Sequence, residues 1–279
     1  MTCTRSYPTI LTVLLAVIPL FGPPANAQKS KEITYTVGRK AIISITNNYG
    51  PITVRASGTR QVTVRTVSRS DTVTFVNEQR GDRVELRAES SHLGTNLASY
   101  TVLIPSDAFL SVHSSDGNLE VQGLRGDVVL EAITAPVKVA NVNDAHLHVT
   151  TLSGSINLKR ISGSHLDIHS VTGNIELRDV SGSSVEASSA SGRITYEGDP
   201  GPAGDYLLTS HSGDIDVSIP AKALVEIRSH SLEGKSDQAP SVGNNLSLGR
   251  PRNLLLKPGI GVSRFVLRSF RGKIWLKRP

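Results

Sequence analysis

From Gly117 to Gly213 the chain repeats itself about every 19 residues. Turns of small residues recur at Asp116-Gly117, Thr134-Ala135, Ser153-Gly154, Thr172-Gly173, Ser191-Gly192 and Ser212-Gly213. Apolar residues follow each turn two and four positions later: Leu119/Val121, Val137/Val139, Ile156/Leu158, Ile175/Leu177, Ile194/Tyr196 and Ile215/Val217. A short fixed period of this kind marks a solenoid, in which a repeat buries its apolar face only by stacking on its neighbours.

The repeat has a second half. Apolar residues recur seven, five and two positions before the turn residue, at Val128/Leu130/Ile133, Leu147/Val149/Leu152, Leu166/Ile168/Val171 and Val185/Ala187/Ala190. A further one lies seven after it: Leu124, Val142, Ile161 and Val180. Alternation over three to five residues, broken by Gly, Ser, Asn or Asp, predicts short half-buried strands joined by tight turns. Nothing in this region has helical spacing. The expected fold is all-β: one single-domain β-solenoid over 28–279, with about 19-residue coils that are regular over 104–217. Aromatic residues are only 4% of the chain, which suits a narrow lumen filled by branched aliphatic side chains.

The flanks carry weaker versions of the pattern. Lys31 to Ile104 predicts less regular opening strands, with Ile42-Ile43-Ser44-Ile45, Val62-Thr63-Val64 and Val84-Glu85-Leu86 the clearest. Phe265, Leu267, Phe270, Gly272, Ile274 and Leu276 fill the places of a closing C-terminal coil. Ile104-Pro105-Ser106-Asp107-Ala108 is echoed by Ile219-Pro220-Ala221-Lys222-Ala223, which predicts two similar corners. Gly198 to Gly204 lengthens one turn, and 229–261 is expected to be an irregular excursion.

Residues 1–27 have the pattern of a signal peptide. Arg5 precedes an apolar stretch from Ile10 to Phe21, and Ala25-Asn26-Ala27 is a small-residue cleavage site. The stretch is short for a bilayer span, and Pro19, Gly22, Pro23 and Pro24 would break a helix there. The only cysteine, Cys3, lies inside the 1–27 leader, so the mature chain is expected to have no disulfide or thiolate metal site. Export to the periplasm or to the cell surface is the expectation, with no transmembrane segment in the mature chain.

Charge is uneven. Residues 28–103 carry a net +5 and 104–248 a net −9, while 249–279 hold nine basic residues and no acid. A basic end can touch anionic lipid or an acidic polymer, but a soluble cap that discourages growth at an open edge is the simpler reading. Nucleic acid is not an expected partner of an exported chain.

The recurring Ser-Gly-x-Ile-x-Leu units, seen in Ser153-Gly154-Ser155-Ile156-Asn157-Leu158 and Thr172-Gly173-Asn174-Ile175-Glu176-Leu177, together with the two Ile-Pro corners, resemble the bacterial putative-adhesin domain of unknown function. The resemblance covers roughly Ile33 to Leu276. It implies an exported β-solenoid of the cell envelope with an adhesive role, and it brings no catalytic residues. Ala135-Pro136 departs from the glycine pattern at one turn.

With the period applied, His146 and His165 lie 19 apart, as do His148 and Asp167, and Asp167 and Glu186. All fall on outward positions of one strand column. His146, His148, His165 and Asp167 should form a two-by-two patch about 5 Å by 7 Å, whose imidazoles and carboxylate are candidate ligands for zinc or another divalent metal. Stacked Asp167 and Glu186 also have the spacing of a glycosidase carboxylate pair, but no aromatic platform or extra loop accompanies them. No nucleophile elbow, P-loop or calcium repeat is present. The expected function is therefore non-catalytic: a structural, adhesive or interaction role at the cell envelope, toward a surface protein or a glycan, without a cofactor. The competing reading is a carbohydrate- or divalent-metal-binding module using the outward His/Asp face.

Overall fold

The computed structural model describes residues 29–91, 97–232, 236–238 and 261–278, and every regular element among them is a strand. The N-terminal part holds β1 (Lys29–Thr36), β2 (Ile42–Thr46), β3 (Ile52–Ser57), β4 (Gln61–Ser68), β5 (Val73–Arg80), β6 (Arg83–Ser90) and β7 (Ala98–Pro105). The regular coils begin with β8 (Phe109–Ser114), β9 (Leu119–Gln122), β10 (Val128–Ala132), β11 (Val137–Asn143) and β12 (His146–Thr151). They continue through β13 (Ile156–Ser170), β14 (Ile175–Ser189), β15 (Ile194–Glu197), β16 (Asp205–Ser210) and β17 (Ile215–Ser218). The last four are β18 (Val225–Ser231), β19 (Ser236–Gln238), β20 (Ser263–Ser269) and β21 (Ile274–Lys277).

These strands wind into two parallel ladders. One runs β8–β10–β12 and on through the second halves of β13 and β14 to β16. The other runs β9–β11, then the first halves of β13 and β14, then β15–β17. The register is the sequence period: Val137 pairs with Ile156, Ile156 with Ile175 and Ile175 with Ile194. The fold is a β-solenoid. Alternation along each strand sends Leu147, Val149, Leu166 and Ile168 inward on one ladder and Ile156, Leu158, Ile175 and Leu177 inward on the other, all buried. Leu124, Val142, Ile161 and Val180 close the lumen at the half-way corner, also buried. Both Ile-Pro corners form the same turn, with the Ala108 and Ala223 amides donating to the Pro105 and Pro220 carbonyls.

Ile133, Leu152 and Val171 do not join this core. They are 40%, 52% and 45% exposed. The inward position at their corner belongs to the preceding residue, and from β12 onward that residue carries a hydroxyl: Thr151, Ser170, Ser189, Ser210 and Ser269, all buried. Three of these hydroxyls hold the turn that follows. Thr151 Oγ1 donates to the Gly154 carbonyl at 2.8 Å, while Ser189 and Ser210 Oγ accept from the Gly192 and Gly213 amides at 2.8 and 2.9 Å. A buried hydroxyl with a backbone partner satisfies the turn's polar groups, and the neighbouring aliphatic residue is left outside.

The turn glycines are required by stacking, not by handedness. None of Gly154, Gly173, Gly192, Gly213 and Gly272 has a positive φ. A Cβ at Gly173 would overlap the Gly154 carbonyl oxygen, one at Gly192 that of Gly173, and one at Gly213 that of Gly192.

At both ends the order of the rungs departs from the order of the chain. The β2–β3 rung lies between β8–β9 on one side and β6–β7 on the other. Beyond it, β5 pairs antiparallel with β6, β4 with β7, and β1 with β4, so the N-terminal end finishes in antiparallel strands. At the other end β20–β21 stack directly on β16–β17, and β18–β19, earlier in the chain, form the outermost rung. The inner position suits β20: Phe265 stacks on Tyr206 with centroids 4.3 Å apart, while Tyr196 meets both rings edge-on. Burial raises the Tyr196 phenol above its usual range, and its hydroxyl donates to the Val180 carbonyl at 2.7 Å. Of the expected excursion over 229–261, Ser229–Ser231 belong to β18 and Ser236–Gln238 form β19; most of the remainder, and the whole expected signal peptide, lie outside the described residues.

Replacing Gly173 by Ala should lower the unfolding free energy by about 1–3 kcal/mol, the usual cost of overpacking, in a urea titration of the mature chain. Gly58→Ala, where nothing lies within 4 Å of the added carbon, is the control and should stay near the starting value.

Candidate functional site

Outward positions of the first ladder carry the imidazoles. Leu147 and Val149 point into the lumen from β12, so His146, His148 and Thr150 point out; β13 repeats this with Leu166 and Ile168 in and His165, Asp167 and His169 out. The register sets His146 opposite His165, His148 opposite Asp167 and Thr150 opposite His169. The predicted two-by-two patch is therefore present as a backbone arrangement, and Glu186 lies opposite Asp167 on the next strand.

The side chains divide the patch into two unlike parts. Asp167 sits between two imidazoles, with His148 Nδ1 2.9 Å from Oδ2 and His169 Nε2 2.6 Å from Oδ1. The second contact is out of line for a hydrogen bond, and Oδ1 has no other partner. The other ring nitrogens are also engaged: His148 Nε2 lies 3.2 Å from Thr150 Oγ1, and His169 Nδ1 lies 2.5 Å from Ser188 Oγ. His146 and His165 are exposed and stack on each other with centroids 5.7 Å apart and planes 28° apart. Neither ring makes a hydrogen bond among the described residues.

His169 is the member that sequence reasoning missed. It lies two positions along from Asp167 on the same strand, an outward site by strand parity alone, and it neighbours Thr150 rather than another histidine. Asp127 was missed as well. It precedes β10 by one residue, and the pairing of Val128 with Leu147 places it opposite His146. An open depression of about 390 Å³ is lined by Asp127, Val129, His146, His148, His165 and Asp167. As they stand, no three His, Cys, Asp or Glu side chains among the described residues converge to hold a metal ion.

A second surface feature runs along the adjoining corner. Ile133, Leu152 and Val171 stand at equivalent exposed places on successive coils, and the same column continues through Ala190, His211 and Phe270. His211 and Phe270 stack face to face with centroids 5.0 Å apart. The column is flanked on the turn by Thr134, Ser153, Thr172, Ser191, Ser212 and Arg271, and on the strand side by Glu131, Thr150, His169, Ser188, Thr209 and Arg268. The stripe is mostly uncharged, and an open groove of about 480 Å³ borders its C-terminal part near His230, Leu232 and Arg268. No helix among the described residues is long and apolar enough to cross a membrane.

A family model, Toastrack DUF4097, matches residues 41–247, and the chain belongs to that family of β-solenoid domains. Solved structures of similar fold include a putative adhesin from Bacteroides fragilis, 15% identical, with a TM-score of 0.52 over 89% of this chain and 97% of that one. A putative adhesin from Parabacteroides distasonis is 13% identical, with a TM-score of 0.47 over 89% and 98%. A putative lipid binding protein from the same organism is 13% identical, with a TM-score of 0.44 over 88% and 96%. No curated protein matches the sequence.

The side chains of His148, Asp167 and His169 are 42%, 37% and 41% exposed, and pairs so open to solvent contribute little to folding. Asp167→Asn should change the unfolding free energy by less than about 1 kcal/mol, measured by urea denaturation at neutral pH.

Proposed function

We propose that the chain is an exported, non-catalytic β-solenoid that binds an extended glycan of the bacterial cell envelope along its flat outer surface. The observation that carries this reading is the stripe of Ile133, Leu152 and Val171, exposed on successive coils and bordered on the turn side by Thr134, Ser153 and Thr172. Rungs about 4.8 Å apart repeat one chemistry in a straight line, which suits a linear partner with repeating units. Exposed aliphatic residues are ordinary when scattered, but a contiguous stripe points to a contact surface. Two further facts support an interaction role. The depressions beside the imidazoles and beside the stripe are both open to solvent, and the fold is shared with the B. fragilis putative adhesin. The leader at 1–27 supports export, and the electrophoretic and mass-spectrometric product of a periplasm-competent host should begin at Gln28.

The test is a binding isotherm of the mature chain on insoluble envelope polysaccharide. Binding should be saturable and should weaken at least about tenfold, or 1.4 kcal/mol, in a Leu152→Glu/Val171→Glu variant. Because both side chains are exposed, the variant should melt with the parent. Equal binding by the variant would remove the stripe from the reading, and release of soluble sugar fragments would replace the whole reading with an enzymatic one.

A further inference from the structure

Beside the hydrogen-bonded group around Asp167 stands a column of three ligand-type side chains with no hydrogen bond or ion pair among the described residues: Asp127, His146 and His165. They occupy equivalent outward places on consecutive rungs, with Asp127 one residue ahead of the Val128–Leu147 pairing and His146 directly paired with His165. All three are exposed, and all three line the 390 Å³ depression. Their backbones are about 4.8 Å apart in the pairing direction.

From this placement we propose that Asp127, His146 and His165 form a surface site for a late first-row divalent cation such as zinc. Two neutral imidazoles and one carboxylate make a borderline donor set that suits Zn²⁺ and its neighbours better than Mg²⁺ or Ca²⁺. The stacked imidazoles do not converge as they stand. Each nevertheless sits on an exposed Cβ with free staggered rotamers. Rotation from a stacked pair to an edge-to-edge pair brings one nitrogen of each ring toward a common point, where metal–nitrogen bonds of about 2.0–2.1 Å can form. Asp127 approaches from the rung on the other side of His146, and solvent completes the coordination. His148 and His169 lie outside the ligand set, since their ring nitrogens are already occupied by Asp167, Thr150 and Ser188. Their role is to hold the neighbouring carboxylate in place. This site does not depend on the glycan reading, because the stripe and the column lie on different rows of the surface.

The experiment titrates chelator-treated mature protein with ZnCl₂ in a calorimeter, with Co²⁺ absorption as a second readout of coordination geometry. One zinc per chain is expected, together with the intense visible bands of low-coordinate Co²⁺. His146→Ala/His165→Ala should abolish both signals, and Asp127→Asn should weaken zinc binding by about tenfold as a ligand is removed. His148→Ala/His169→Ala should bind within about threefold of the parent, since it removes no ligand. Melting curves on all variants establish that these surface changes leave the fold intact. No heat with the parent protein, an isotherm unchanged in His146→Ala/His165→Ala, or loss confined to His148→Ala/His169→Ala would each overturn the proposal.

Discussion

The rest of the structure depends on the close stacking of one coil's backbone on the next at the glycine corner. At Gly173 and Gly192 the carbonyl oxygen of the preceding coil occupies the space where a side chain would begin. That approach lets parallel strands on both sides of the corner pair in register, and the register in turn aligns the aliphatic columns. A single coil has no partner for its outward-facing amides and carbonyls and cannot bury its own apolar face. Stability is therefore shared between neighbours. The buried hydroxyls of Thr151, Ser189 and Ser210 belong to the same device, since they satisfy the turn that the glycine makes narrow.

A column that can grow at either end needs a way to stop, and here the ends differ from the middle by topology as well as by composition. The N-terminal end turns antiparallel through β5, β4 and β1, which breaks the parallel pattern a further copy would have to continue. At the C-terminal end, β20–β21 lie between β16–β17 and the outer rung of β18–β19. The stack of Tyr206 on Phe265 shows why the inner place belongs to the later segment. β18 offers Ile227 and Ser229 at the equivalent positions, with far less apolar surface to lay over two tyrosines. β18 is accordingly only partly buried.

The period, the two ladders and the inward columns were legible in the sequence because every determinant is local and repeated. Ile156 and Ile175 are apolar for the same reason at each turn. The rung order at the two ends was not legible, since it depends on pairings between segments that share no period, such as β2 with both β6 and β8. The exposure of Ile133, Leu152 and Val171 was missed because an apolar residue beside a turn was assigned to the core without asking what the adjacent Thr or Ser would do there. For the site, the spacing of 19 placed His146 over His165 and His148 beside Asp167. It could not show that Asp167 would be taken up by His148 and His169, which depends on side-chain rotamers, while Asp127 lay just ahead of a strand, where no repeat drew attention to it.

On this scaffold the lumen sets the inward residues and leaves the outward ones nearly free, since a substitution on a solvated strand face costs little folding energy. The corner stripe is apolar where hydroxyl or charged residues would be more soluble, and folding does not demand it, because Thr151 and Ser170 already fill the inward place. The imidazoles are likewise grouped on two adjacent rungs, although equivalent outward positions on β10, β14 and β16 carry Val129, Glu186 and Leu207. Neither feature follows from what makes the coils stack. In a fold whose regularity explains nearly every other residue, departures of this kind on the outer surface are where contact with other molecules is best sought.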